Sequence, residues 1–292
     1  MKITHRVTED QSGYSAEKLL RKKLGFSQTM IRRLKRCSGV CLNGRPVYLK
    51  QRLKEGDILS IDIQLTPNTG IEPQPIPMDI IYEDRHLLVV NKPPHMLVHP
   101  LKHEPYNTLA NAVLHHYRKN NIEGTFHPVS RLDRNTSGLV VIAKHPYAGF
   151  RLSQQLHSID FQREYLAVVH GMLKQLQAVI ALPIARCRDS KIKHTVDCGG
   201  RKAVTRYQVE KYCGNNTVVK LQLETGRTHQ IRVHMSHIGH PLLGDSLYGG
   251  LNEGINRQAL HCYRVSLTHP VTGALLSLQS PLPRDIQNLL NY

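Results

Sequence analysis

The chain is 292 residues long and carries 39 Lys and Arg against 22 Asp and Glu, a formal net charge of +17 with its 18 histidines neutral. Its 40% hydrophobic residues are enough to bury a sizeable core, which excludes a disordered basic tail, and its length suits two domains better than one. The start is polar and lacks an apolar export segment, aliphatic stretches such as Leu139 to Ala143 are strand-sized, and the six cysteines show no disulfide framework. A soluble cytoplasmic protein with reduced thiols is expected.

The first quarter is disproportionately basic, with 14 basic and 6 acidic side chains in residues 1–70. Apolar spacing predicts a helix from about Ser15 to Leu24, with Ala16, Leu19 and Leu20 on one face and Gly25 as its stop. A second helix follows, with Ser27 as N-cap before Met30, Ile31 and Leu34. Arg21, Lys22, Lys23, Arg32, Arg33, Lys35 and Arg36 fall in this stretch with no acid between Arg21 and Arg36, and those of the second helix point away from its apolar side. Val40 to Val47 reads as two short strands about an Asn43-Gly44 turn, and Leu53 to Ile63 as a turn at Glu55-Gly56-Asp57 followed by a strand.

This unit resembles the S-four-type RNA-binding module through Ser27, Gly39-Val40, Leu42-Asn43-Gly44 and Leu53-x-x-Gly56-Asp57. The resemblance implies a small αL-type (S-four-like) domain over residues 1–64 that lays its basic helix face on folded RNA, reading phosphate and shape more than sequence. Residues 65–77 hold four prolines and no periodicity, which predicts a linker.

Residues 78–292 are strand-rich. Hairpins are predicted at Ile80–Tyr82 with Leu87–Val90, Val204–Tyr212 with Val218–Leu223, and Leu260–Leu267 with Leu275–Leu278. Helices are predicted at about Thr108–Lys119, Ala148–His157 and Thr228–His237. Hairpins interspersed with helices argue for an α+β domain on a mostly antiparallel mixed sheet, not a doubly wound one. Gly-x-Gly-x-x-Gly and P-loop patterns are absent, so no nucleotide cofactor is expected.

The densest polar cluster is His127-Pro128-Val129-Ser130-Arg131-Leu132-Asp133-Arg134-Asn135-Thr136-Ser137-Gly138, which places Asp133 just ahead of a buried strand. Flanked by Arg131 and Arg134, Asp133 is either one half of a surface ion pair or a carboxylate kept ionised in a partly buried site and available as a nucleophile. The run Arg131-Leu132-Asp133-Arg134-Asn135-Thr136-Ser137-Gly138 resembles the signature of the RluA/RluD-type pseudouridine synthases. Further matches are Asn91-Lys92-Pro93 with His99-Pro100, the stretch Arg163 to Gly171, and Leu223 to His234 running on through His240-Pro241, Gly244-Asp245 and Tyr248-Gly249. His95 and Ser130 depart from the residues usual in that family.

The resemblance implies that Asp133 is the catalytic aspartate and Tyr165 the active-site tyrosine, with Arg131 bracing the space left by a flipped base. Arg227 is the expected partner that orients Asp133 through a charge-assisted pair. Arg134, Thr136, Arg163, His229 and Arg232 are further substrate-binding positions on the matching motifs.

The implied reaction converts uridine to pseudouridine and consumes neither cofactor nor water. One Asp without an acidic partner in its motif suits internal transfer, since a hydrolase would add a second carboxyl to activate water. Asp133 either attacks the sugar or removes a proton from it to give a glycal. His229, His234, His237 and His240 lack the spacing of a tight tetrahedral set, and no metal is expected. The expected partner is structured RNA, with large-subunit ribosomal RNA ahead of transfer RNA. The rival reading is a non-catalytic ribosome-assembly factor. No membrane association is expected, and the chain is expected to be a monomer.

Overall fold

The computed structural model describes residues 2–63, 70–156, 158, 160–190 and 192–290. At the N-terminus, β1 (Lys2–Arg6), α1 (Ala16–Lys22), α2 (Gln28–Arg36), β2 (Val40–Leu42), β3 (Arg45–Pro46) and β4 (Ile58–Asp62) form one unit. Its sheet has the order β1-β4-β2-β3. The expected Ser27 cap is present, its hydroxyl accepting from Met30 N–H, and Ser15 caps the first helix in the same way, accepting from Lys18 N–H. Leu19, Leu20, Ile31 and Leu34 face inward onto a core completed by Leu53, Leu59 and Ile61. The seven cations named from the sequence are left exposed outside it.

That core has one guest from the rest of the chain. Tyr147 packs its ring 4.7 Å from that of Phe26 and donates its hydroxyl to the Leu24 carbonyl at 2.9 Å. Arg151, one helical turn on, reaches the same carbonyl, so the N-terminal unit sits against the helix carrying both residues.

The larger sheet is built from β5 (Asp79–Glu83), β6 (Leu87–Lys92), β7 (His127–Pro128), β8 (Ser137–Ala143), β9 (Phe161–His170), β10 (Gln177–Ile180), β13 (Thr205–Cys213), β14 (Asn216–Leu223), β15 (Leu260–Thr268) and β16 (Leu275–Gln279). Between β10 and β13 a separate two-stranded ribbon pairs β11 (Ile184–Arg186) with β12 (His194–Val196). The helices are α3 (Leu109–Lys119), α4 (Pro146–Gln155, which carries Tyr147 and Arg151), α5 (Gln230–His237) and α6 (Arg284–Leu290). The ten strands run in the order β10-β13-β14-β9-β15-β8-β6-β5, with β16 on β15 and β7 on β8. All pairs are antiparallel except β8 with β15, so this is the expected α+β domain on a mostly antiparallel mixed sheet.

The three expected hairpins are β5–β6, β13–β14 and β15–β16. Strands β1, β7, β9, β10, β11 and β12 and helix α6 are not anticipated by the sequence reading. The proposed linker is only partly a spacer. Residues 65–69 of it lie outside the described residues, and beyond them the Asn111 amide donates to the Glu72 carbonyl while Gln74 N–H donates to the Asn111 carbonyl, tying this segment to α3.

Strand β8 is buried along its whole length between β6 and β15, and it fixes where Asp133 emerges. At its start Gly138 lies so close to β15 that a Cβ there would fall 2.3 Å from the Cys262 carbonyl oxygen, with φ at +115°. The loop ahead of β8 is then pinned from below. Lys92, the last residue of β6, is fully buried, and its ammonium donates to the carbonyls of Pro93 at 2.8 Å, Met96 at 2.9 Å and Arg134 at 3.0 Å. Three donors meet three acceptors, but the charge has no carboxylate in direct contact.

Burial, helped by the nearby Arg257 charge, brings the Lys92 pKa down from 10.5 to about 7. Below about pH 7 both folded and unfolded chains carry this proton and the burial penalty is fully present. Between that pH and 10.5 only the unfolded chain keeps it, so stability gains from this group as pH rises. Denaturant unfolding of wild type and Lys92→Met across this window should show the wild-type advantage growing with pH. Parallel stability profiles would show that Lys92 does not titrate there.

Candidate active site

The Asp133 loop combines a hydrophobic anchor with a polar tip. Leu132 is buried, Arg131 and Arg134 are exposed on either side, and the turn closes through Thr136 N–H to the Asp133 carbonyl at 3.1 Å. Its next two carbonyls are each held by a buried cation. Lys92 holds that of Arg134, and Arg257 holds that of Asn135 at 3.0 Å while pairing through its other nitrogens with Asp285. The Asp133 side chain, 26% exposed, opens into a cavity of about 280 Å³ shared with His229, Arg232, Asp245 and Gln258.

Arg232 is the group that orients Asp133. Its Nε and Nη2 donate to the two Asp245 oxygens at 2.7 and 2.8 Å, and its Nη1 donates to Asp133 Oδ2 at 3.2 Å. The Asp245 side chain is 1% exposed, and the bidentate pair leaves the planar guanidinium one direction for its remaining nitrogen. The Tyr248 ring lies 4.9 Å from the Arg232 guanidinium carbon. One turn earlier, His229 caps α5 in the left-handed region, with φ 56° and ψ 20°. This conformation brings its Nε2 to 3.8 Å from Asp133 Oδ2 and its Nδ1 to 2.9 Å from the Tyr248 hydroxyl.

Tyr248 accepts from the backbone N–H of His194, so its own proton goes to His229 Nδ1 and the ring keeps its proton on Nε2, toward Asp133. Burial lowers the His229 pKa, opposed by the Asp133 charge, which favours the neutral ring.

Several expected positions are corrected. Arg227 does not reach Asp133: its Nε donates to the Lys202 carbonyl at 2.9 Å, and the pairing assigned to it belongs to Arg232 five residues on. Gln230 sets the difference by closing the turn, accepting from Arg227 N–H and the Thr225 hydroxyl while donating to Val204 and Thr205. Thr136 is buried with its hydroxyl accepting from Gln258, so it supports the loop from within. Arg134 lines the cavity but is paired with Glu104. Tyr165 and Arg163 lie on the inward face of β9, outside the cavity lining. The Tyr165 hydroxyl meets the Cys262 thiol, and burial raises its pKa, with Asp133 among the charges it feels.

His234 donates to the Leu182 carbonyl and accepts from the Thr205 hydroxyl, and His240 donates to the His170 carbonyl, so these rings have separate partners. Lys92, Asp245, Tyr248 and Arg257 contact the Asp133 loop, Arg232 or His229 and carry no role in the sequence reading. The signal for three of them was present, because Lys92, Asp245 and Tyr248 stand inside matched motifs.

Residues 86–237 match the family model described as RNA pseudouridylate synthase. The uncharacterized RNA pseudouridine synthase YjbO of Bacillus subtilis is 43% identical over 272 residues, 92% of this chain and 95% of that protein. Ribosomal large subunit pseudouridine synthase D of Yersinia pestis is 36% identical, covering 100% of this chain and 94% of its own length. Among solved structures, human RNA pseudouridylate synthase domain containing 1 shares the fold, with a TM-score of 0.60 at 22% identity over 77% of this chain and 90% of that one. A catalytic-domain match over half the chain and full-length similarity to named synthases lead to one assignment: this protein belongs to the RNA pseudouridylate synthase family and is an isomerase that converts uridine to pseudouridine in RNA.

Proposed function

We propose that Asp133 carries this isomerisation and that the substrate is structured RNA of the large ribosomal subunit. The observation that supports Asp133 is its pairing with Arg232. One carboxylate faces the cavity and accepts from a guanidinium whose other donors are already committed to Asp245. Among the described residues Asp245 is the only other acid lining the cavity, and both its oxygens accept from Arg232, which leaves no second carboxylate there free to activate water. That arrangement suits transfer within one nucleotide over hydrolysis.

In that reaction the bond from sugar C1′ to uracil N1 breaks, the base turns, and C1′ bonds to C5. The C5 proton is lost and N1 gains one, so the atoms balance without a co-reactant. Asp133 meets the sugar either as nucleophile at C1′ or as the base that gives a glycal. The target uridine must leave its stack to reach the cavity. Exposed Arg131 stands at the loop edge beside it, placed to brace the vacated space.

The ribosomal assignment rests on relatives named ribosomal large subunit pseudouridine synthase D, 35–38% identical over most of this chain. The N-terminal unit fits an S-four-like docking domain. Of its seven cations only Lys23 has an ion-pair partner among the described residues, namely Asp10, and the other six stand exposed. Its contact with Tyr147 would hold that basic face in a set relation to the catalytic domain.

Asp133→Asn should bind RNA within about twofold of wild type and lose about 10⁴-fold or more in kcat. Retained turnover would remove Asp133 from the reaction. Mapping pseudouridines in total RNA with and without the protein identifies the substrate, and a lost site in transfer RNA alone would overturn the ribosomal assignment. Replacing Arg32, Arg33 and Arg36 by Gln should lower the slope of log Kd against log salt by about 2. An unchanged slope would show that this helix face does not touch phosphate.

A further inference from the structure

Five cations are buried among the described residues, and four are satisfied. Lys92 holds three carbonyls, Lys144 pairs with Glu83, Arg232 with Asp245 and Asp133, and Arg257 with Asp285. Arg163 is the exception. It is 7% exposed, its Nε is buried without an acceptor, and none of its donors meets a carboxylate, carbonyl or hydroxyl among the described residues. Its neighbours are the Phe161 ring, 5.9 Å from the guanidinium carbon, and groups that carry no full negative charge, the Tyr165 hydroxyl and the Cys262 thiol. A buried guanidinium without a counter-charge is costly, and an anionic ligand would remove that cost.

A second observation places the guanidinium beside an exposed turn. Gly226 is exposed, and a Cβ built on it would lie 3.3 Å from Arg163 Nη1 and 3.4 Å from Nη2. Gly226 is not among the glycines with positive φ, so its backbone does not call for glycine. With no side chain at Gly226, the exposed turn lies close over the guanidinium without crowding it. The same turn leads three residues on to His229, which lies beside Asp133, and Arg163 shares the inward face of β9 with Tyr165.

We propose that Arg163 binds a backbone phosphate beside the target uridine, admitted past Gly226. This rests on the reading of the site as an RNA isomerase centre and adds the group that anchors the flipped nucleotide there. A uracil carbonyl would supply an acceptor but no counter-charge, whereas a phosphate supplies both and matches the guanidinium fork.

The test uses a synthetic stem-loop of large-subunit ribosomal RNA carrying the mapped target uridine. One version is unmodified, and two carry a neutral methylphosphonate at one or the other phosphate flanking that uridine. Wild-type protein should bind one of the substituted RNAs about tenfold more weakly, the loss expected for one charge-assisted contact. Arg163→Gln should bind the unmodified RNA about tenfold more weakly and show no further loss with that methylphosphonate. Gly226→Val, at an exposed position, should weaken binding of unmodified RNA and be insensitive to the same substitution.

Equal wild-type affinity for all three RNAs would overturn the proposal, as would an Arg163→Gln variant that keeps the full methylphosphonate penalty. If Arg163→Gln fails to fold, the wild-type and Gly226→Val arms decide. Pseudouridine formation by wild type on the unmodified stem-loop reports separately on the isomerase reading.

Discussion

The site depends on one guanidinium shared by two carboxylates. Arg232 is buried, and burial alone would weaken its charge, but its bonds to Asp245 and Asp133 more than offset that. Because Asp245 takes two of its nitrogens, Arg232 has a fixed direction in which to hold Asp133. Losing either neighbour changes what the other can do: without Asp245 the arginine is free to rotate, and without Arg232 a buried Asp245 carboxylate is left unpaired. The left-handed turn at His229 and the Gln230 bonds that close it start α5 where Arg232 reaches both acids.

The backbone carrying Asp133 is constrained just as tightly. Buried cations take the two carbonyls that follow it, and Gly138 presses β8 against β15 at a distance no side chain would permit. Preorganisation of this kind would let the proposed carboxylate act without waiting for the loop to order. Its cost is visible in Lys92, whose charge is buried against carbonyls alone.

Local features were legible in the sequence because they are encoded locally. Ser27 caps the helix it announces, and the Asn43-Gly44 and Gly214-Asn215 turns join the strands around them. The parallel pairing of β8 with β15 joins residues more than 120 apart and leaves no periodic trace. Strands β11 and β12 are three residues each, too short for alternation to register. The motif containing Arg227 and Arg232 was legible as a unit, but motif spacing does not say which arginine faces inward. That depended on Gln230 turning the chain and on Asp245, thirteen residues further on, waiting to receive Arg232.

The net charge of +17 divides by burial as well as by position. The exposed N-terminal cations suit affinity for an RNA backbone, while Lys92, Arg232 and Arg257 are spent on holding one loop and one carboxylate. The most direct measurement of the shared-guanidinium constraint is kcat for Asp245→Asn at saturating RNA, with RNA affinity and melting temperature followed alongside. The expected result is a loss of about 100-fold in kcat with RNA affinity retained, the scale of a catalytic group misplaced by about 1 Å. A folded Asp245→Asn variant with wild-type kcat would contradict it.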